Sequence, residues 1–125
     1  MTEDLRMNNK IKNIVVEFML EILAFFVLAS SMALLWKHTI ILTSVYLIVF
    51  VAAAFFWLKK DEIVLFIIAT IFFQIGEIII VRSGAWTYNN PTYLNIPVWI
   101  SLSWGYIAVI IKKLSTTITK AIGVQ

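Results

Sequence analysis

The residues of this sequence best able to do chemistry are carboxyl groups set inside apolar stretches. Glu17, Glu21 and Glu77 each lie in a run dominated by Leu, Ile, Val and Phe. An ionisable side chain is costly in hydrocarbon, so it is expected to pair, to face a polar cavity or to serve a function. Thr70, Gln74 and Glu77 follow i, i+4, i+7 spacing and so share one helix face. Thr39, Thr43 and Tyr46 repeat that spacing on a second segment headed by His38, and Asn95, Ser101 and Trp104 gather on a third. Brought together, these residues make one pocket with Glu77 as its acidic centre. Gln74, Thr70, Thr43, Tyr46, Trp86, Tyr88, Ser101 and Trp104 would be its ligand contacts. The competing reading is a set of helix–helix hydrogen bonds, each worth about 0.6 to 2 kcal/mol, that fix packing. Gly76, beside Glu77, would permit a close helix approach.

Glu17 and Glu21 are one helical turn apart and share a face. Glu17 is near enough to the start of its apolar run to reach Lys12, Lys59 or Lys60. Glu21 lies eight residues past Asn13, roughly 12 Å deeper at the helical rise, so it is expected to be protonated, paired or exposed to a polar cavity. No cysteine is present and there is one histidine, His38, which excludes thiol chemistry and a multi-histidine metal site. Phosphate-loop, nucleophile-elbow and zinc-pair motifs are absent from the sequence. No cofactor or metal is expected, and any catalysis would rest on carboxyl and hydroxyl groups.

The elements that must position these groups follow from composition. Of 125 residues, 62% are hydrophobic and 14% charged, with a mean hydropathy of +0.95. That is too little charge to cover a water-soluble domain of this size. Four apolar stretches, at about 14–35, 39–58, 63–81 and 96–111, approach the roughly 20 residues that cross a bilayer. In lipid each must satisfy its own backbone, so each is a helix. The expectation is a single all-α domain, a four-helix integral membrane bundle covering the whole chain. The opening "MTEDLRMNNKIKN" does not read as a signal peptide, so the first apolar segment is expected to be retained. The tail "KKLSTTITKAIGVQ" is polar enough to leave the membrane as a short surface helix.

Eight of the ten Lys and Arg residues lie before the first segment, in the link "KKDE" or in the tail. This bias places both termini in the cytoplasm and the loop "GAWTYNNPTY" outside, in a prokaryotic-type inner (plasma) membrane. Trp36, Trp86, Tyr88, Tyr93, Trp99 and Trp104 are placed as an interfacial aromatic belt. Pro91 and Pro97 bracket "TYLNI", so the loop is expected to re-enter the interface before the fourth helix.

The segment "GEIIIVRSGAWTYNNPTYLNIPVW" resembles the loop region of the lycopene cyclase domains and carotenoid hydratases of carotenoid biosynthesis. The resemblance is limited to the region from Glu77 to Trp99. It implies that Glu77 is an acid protonating an isoprenoid double bond, with Trp86, Tyr88 and Trp104 lining a cation-tolerant pocket. The cyclase pattern continues with proline, an aliphatic residue and paired glutamates, whereas here Pro97 and Val98 are followed by Trp99 and Ile100. Four helices with a glutamate in the first also resemble the small multidrug-resistance transporters, which implies proton coupling through Glu17 or Glu21. That family's motifs in the second and third helices are not found here, and its dual-topology members carry a weaker charge bias. The expected function is binding or transformation of an apolar or isoprenoid lipid around Glu77, with membrane lipid as partner and no nucleic acid. A homodimer or a membrane-protein partner would close the pocket. The alternatives are a proton-coupled transporter and a non-catalytic assembly subunit.

Overall fold

A computed structural model describes residues 2–123, which fold into four helices: α1 (Glu3–Leu35), α2 (Thr39–Phe56), α3 (Lys60–Ser83) and α4 (Val98–Ala121). All four are long and apolar enough to cross a membrane. Large apolar side chains cover the outside: Phe56 is 90% exposed, Ile40 83%, Phe55 80% and Leu34 78%. Water would not tolerate such a surface on a monomer, and a bilayer requires it. The chain is an all-α, multi-pass membrane protein.

The bundle has two unlike ends. At one, here the loop end, α1 joins α2 and the long segment 84–97 joins α3 to α4. At the other, the termini end, lie the start of α1, the α2–α3 link and the end of α4.

Helix boundaries depart from the expected ones chiefly at the termini end. α1 begins at Glu3 and α4 runs on to Ala121, so "KKLSTTITKA" continues the fourth helix instead of forming a separate surface helix. Polar tail residues stay helical because they have partners inside the bundle. Lys113 meets Glu62, Thr117 meets Glu21, and Lys120 meets Glu17. α1, at 33 residues, is about 50 Å long, whereas the 18 residues of α2 span about 27 Å. α2 therefore sets the apolar thickness. Counted back from Leu35, that thickness ends near Phe18, which leaves Glu21 about one turn inside it rather than deep within it.

α4 is the central helix, and each of the other three packs against it. Its buried residues recur around the helix: Trp99, Ile100, Ser103, Gly105, Val109, Ile110 and Thr117. Gly105 is the close-approach point. A Cβ there would lie 2.5 Å from Thr70 Oγ1 and 2.8 Å from the Phe66 ring, so only glycine lets α3 come this near. A Cβ at Gly76 would meet nothing within 4 Å, so the close approach predicted there occurs at Gly105 instead. Lipid supplies no hydrophobic drive between helices, and such close packing takes its place.

The α3–α4 segment is tightly folded. Gly84, in the left-handed region at φ +81°, ends α3. Leu94 and Asn95 both have positive φ, and Tyr93 and Ile96 exchange backbone hydrogen bonds of 2.8 and 3.0 Å around them. A two-residue hairpin turn needs this conformation at both central residues. The turn drives Ile96 into the core beside Leu28, Leu42, Tyr46 and Trp99. Pro97 then caps α4, and the Val98 N–H is taken by Thr92 Oγ1 at 3.0 Å. The fourth helix thus starts at Val98.

Candidate functional site

Three features organise the polar and cavity-lining residues: a cluster at the loop end, an apolar cleft along the middle, and a polar cavity at the termini end.

Glu77 is the hub of the first. It is buried on α3 and accepts three hydrogen bonds. Tyr88 OH donates to Oε2 at 2.7 Å, Trp86 Nε1 to Oε2 at 3.2 Å, and Trp104 Nε1 to Oε1 at 3.0 Å. The donors come from the loop and from α4, so one carboxyl ties α3, the loop and α4 together. Burial first, and then the Glu77 carboxyl group, push the Tyr88 phenol well above its ordinary pKa, which keeps it a donor. Phe73 stacks on Trp104 at 4.8 Å and closes the α3 side. Asn90 extends the tie across the bundle: its amide donates at 3.2 Å to Trp36 O, Lys37 O and Thr39 Oγ1. Chemically the cluster is a set of donors aimed at an acceptor. Three donors occupy three of the carboxyl group's four lone-pair positions, which leaves one, on Oε1, for a proton.

The structure brings only part of the predicted pocket together. Trp86, Tyr88 and Trp104 reach Glu77, while Ser101 donates to Gln74 one turn deeper. Thr70 lies deeper still, against Gly105, with its hydroxyl buried and unpartnered. The Thr43 hydroxyl is also buried without a partner. Tyr46 turns away from this group: its hydroxyl donates to Leu28 O at 3.3 Å, and its carbonyl accepts from Tyr106 OH. His38 and Asn95 are exposed.

Tyr46 instead lines the second feature, an apolar cleft of about 150 Å³ among α1, α2 and α4. Ala24, Val27, Leu28, Val45, Val49 and Ala53 form its long walls, with Phe66 and Tyr106 behind. The polar atoms nearest the cleft are occupied within the protein. Ser31 Oγ donates to Leu28 O at 2.8 Å, the carbonyl that Tyr46 also uses. Exposed polar surface is thus absent from the lining, which suits hydrocarbon and not water.

Trp57, the residue that ends α2, closes the cleft at the termini end and also borders the third feature. This is a polar cavity of about 350 Å³ between α1, α3 and α4. Most of its charges are matched. Lys113 Nζ pairs with Glu62 at 3.0 Å, both nearly buried, and also donates to Trp57 O at 3.2 Å. The same ammonium lies 4.5 Å from the Trp57 ring centroid. Lys112 pairs with Asp61, and Lys120 with Glu17 at 3.4 Å. Glu62 also accepts the Lys59 N–H at 2.9 Å, which fastens the first turn of α3. Glu21 accepts from Thr117 at 2.7 Å through Oε1, while its Oε2 is buried with no partner.

The expectation from sequence grouped Glu77 with Trp86, Tyr88 and Trp104 as pocket residues, and Glu17 with Glu21 on one face. It missed Asn90, Trp57, Gly105, Thr117 and the Lys113–Glu62 pair. A signal for the α4 residues existed, since Lys113, Thr117 and Lys120 follow i, i+4, i+7 spacing and match the face formed by Glu17 and Glu21. Set against protein-family models, curated proteins and solved structures, the chain matches none.

Proposed function

We propose that this chain is a plasma-membrane protein, with both termini cytoplasmic, that binds a membrane lipid by its hydrocarbon chain. The observation carrying this reading is the cleft of about 150 Å³ whose exposed lining is wholly apolar. It lies between helices within the apolar thickness set by α2, where the available occupant is hydrocarbon. The lipid is therefore assigned to the face of Tyr46, Val49 and Ala53 rather than to Glu77. Glu77 holds the loop end closed above it. In this reading Glu77 supports the fold and the cleft supplies the binding, whether the chain bound is isoprenoid or acyl.

Mass spectrometry of lipids co-purifying in mild detergent tests the assignment. Ala53→Trp, which fills the cleft, should remove a lipid that wild type retains, whereas Glu77→Gln should keep it in whatever protein remains folded. Loss on Glu77→Gln with retention on Ala53→Trp would return the site to the loop end. Equal lipid in all three would favour an assembly subunit.

A further inference from the structure

Given the lipid-binding reading above, we infer that Glu21 and Thr117 receive the headgroup of that lipid, and that the headgroup carries a primary amine. The cleft does not end at Trp57. Ala24, Val27 and Trp57 border both the cleft and a shallow groove beside it, and Leu20 borders both that groove and the polar cavity. Trp57 is common to all three. A continuous track therefore runs along α1 from an apolar slot to a charged chamber. Its polarity changes once, at the level of Trp57, as the polarity of a phospholipid changes once between chain and head. Glu21 lies about one turn inside the apolar thickness, near the depth at which headgroups begin.

The chamber's charges specify the head. Its lining holds four acidic residues, Glu17, Glu21, Asp61 and Glu62, and four basic ones, Lys59, Lys112, Lys113 and Lys120. That balance suits a zwitterion better than an anion. Three of the lysines are committed to Asp61, Glu62 and Glu17. Glu21, on the chamber lining, is 4% exposed, takes one bond from Thr117, and keeps a buried Oε2 with no donor. A buried acceptor without a donor is expensive, and the ligand that relieves it must bring an N–H or O–H. A primary ammonium brings three donors on a full charge. Lys59, at the start of α3, makes no ion pair among the described residues and lines the same chamber, where it can meet the phosphate. A trimethylated amine has the same charge and no N–H, so it cannot satisfy Oε2.

This difference makes the test. The full chain, delipidated in mild detergent, is titrated in native mass spectrometry with phosphatidylethanolamine, phosphatidylcholine and phosphatidylglycerol of identical chains. Wild type should bind the ethanolamine lipid about tenfold more tightly than the choline lipid, the factor a hydrogen bond to a charged group provides. Glu21→Gln should lose that preference, while lipid of either head still binds through the cleft, which the substitution leaves untouched. Thr117→Val, which removes the donor orienting Glu21, should reduce the preference in part. Should Glu21→Gln melt too early to assay, Glu21→Asp, which withdraws the oxygens by one methylene, should show the same loss. Equal binding of ethanolamine and choline lipids by wild type would overturn the headgroup assignment and leave the cleft reading standing. Preference for the glycerol lipid would overturn it in favour of an anion at the lysines. Failure of wild type to bind any of the three would overturn the headgroup assignment and the binding of an acyl chain in the cleft.

Discussion

Glu77 shows how a single side chain can hold two helices and a loop in a medium where packing is otherwise weakly driven. Its three donors are a phenol and two indoles, each able to rest its ring in lipid while its polar edge turns inward. Glu77→Gln keeps one acceptor oxygen and replaces the other with a donor that faces Trp or Tyr donors. We predict a loss of about 1–3 kcal/mol, the cost of leaving buried donors unmatched, measured by thermal or denaturant melting in mild detergent. Tyr88→Phe should cost less, because it removes one donor and leaves Glu77 with two. The sequence grouped Glu77 with Trp86, Tyr88 and Trp104 as the lining of one pocket, but the donor role of the three aromatic residues toward the carboxyl group was legible only in the fold. It did not exclude Thr43 and Tyr46, because helical spacing gives the face of a residue but not which neighbour that face meets. Tyr46 points toward α1 and α4, a matter of helix rotation in the bundle.

At the scale of elements, α4 carries the bundle, and two contacts along it should respond differently. Gly105→Ala places a methyl 2.5 Å from Thr70 Oγ1 and 2.8 Å from the Phe66 ring, so it should destabilise by about 1–3 kcal/mol through overpacking. Gly76→Ala has open space around it and should stabilise by up to about 1 kcal/mol through helix propensity. Melting of the two variants side by side checks the pair, and a reversed order would contradict the packing. Further along α4, Lys113→Met leaves Glu62 buried beside Trp57 without its cation. That should cost about 3–5 kcal/mol, and Lys113→Met with Glu62→Leu together should recover much of it, as a melting cycle would show. The spans themselves were readable from hydropathy because the bilayer demands length and apolarity of each helix alone. The extensions of α1 and α4 were not, because their helicity depends on pairs such as Lys120–Glu17 and Thr117–Glu21 that join residues about a hundred positions apart.

For the whole molecule, hydropathy and the basic-residue bias describe a four-helix protein with its chemistry at two ends. The cleft between them has no sequence signature. Its long walls are Ala, Val and Leu that differ in nothing from lipid-facing neighbours, and it exists because α1, α2 and α4 meet without filling the space. Binding there is therefore the claim most in need of a direct test. A photo-crosslinking residue placed at Ala53 in the full chain, activated in native membranes and followed by intact mass spectrometry, reads the occupant as a mass. Lipid binding in the cleft should give an adduct of one lipid molecule that is lost when Val49→Trp fills the cleft. An adduct of a second 14.3 kDa chain or of another protein would contradict it and make the cleft a helix-docking surface.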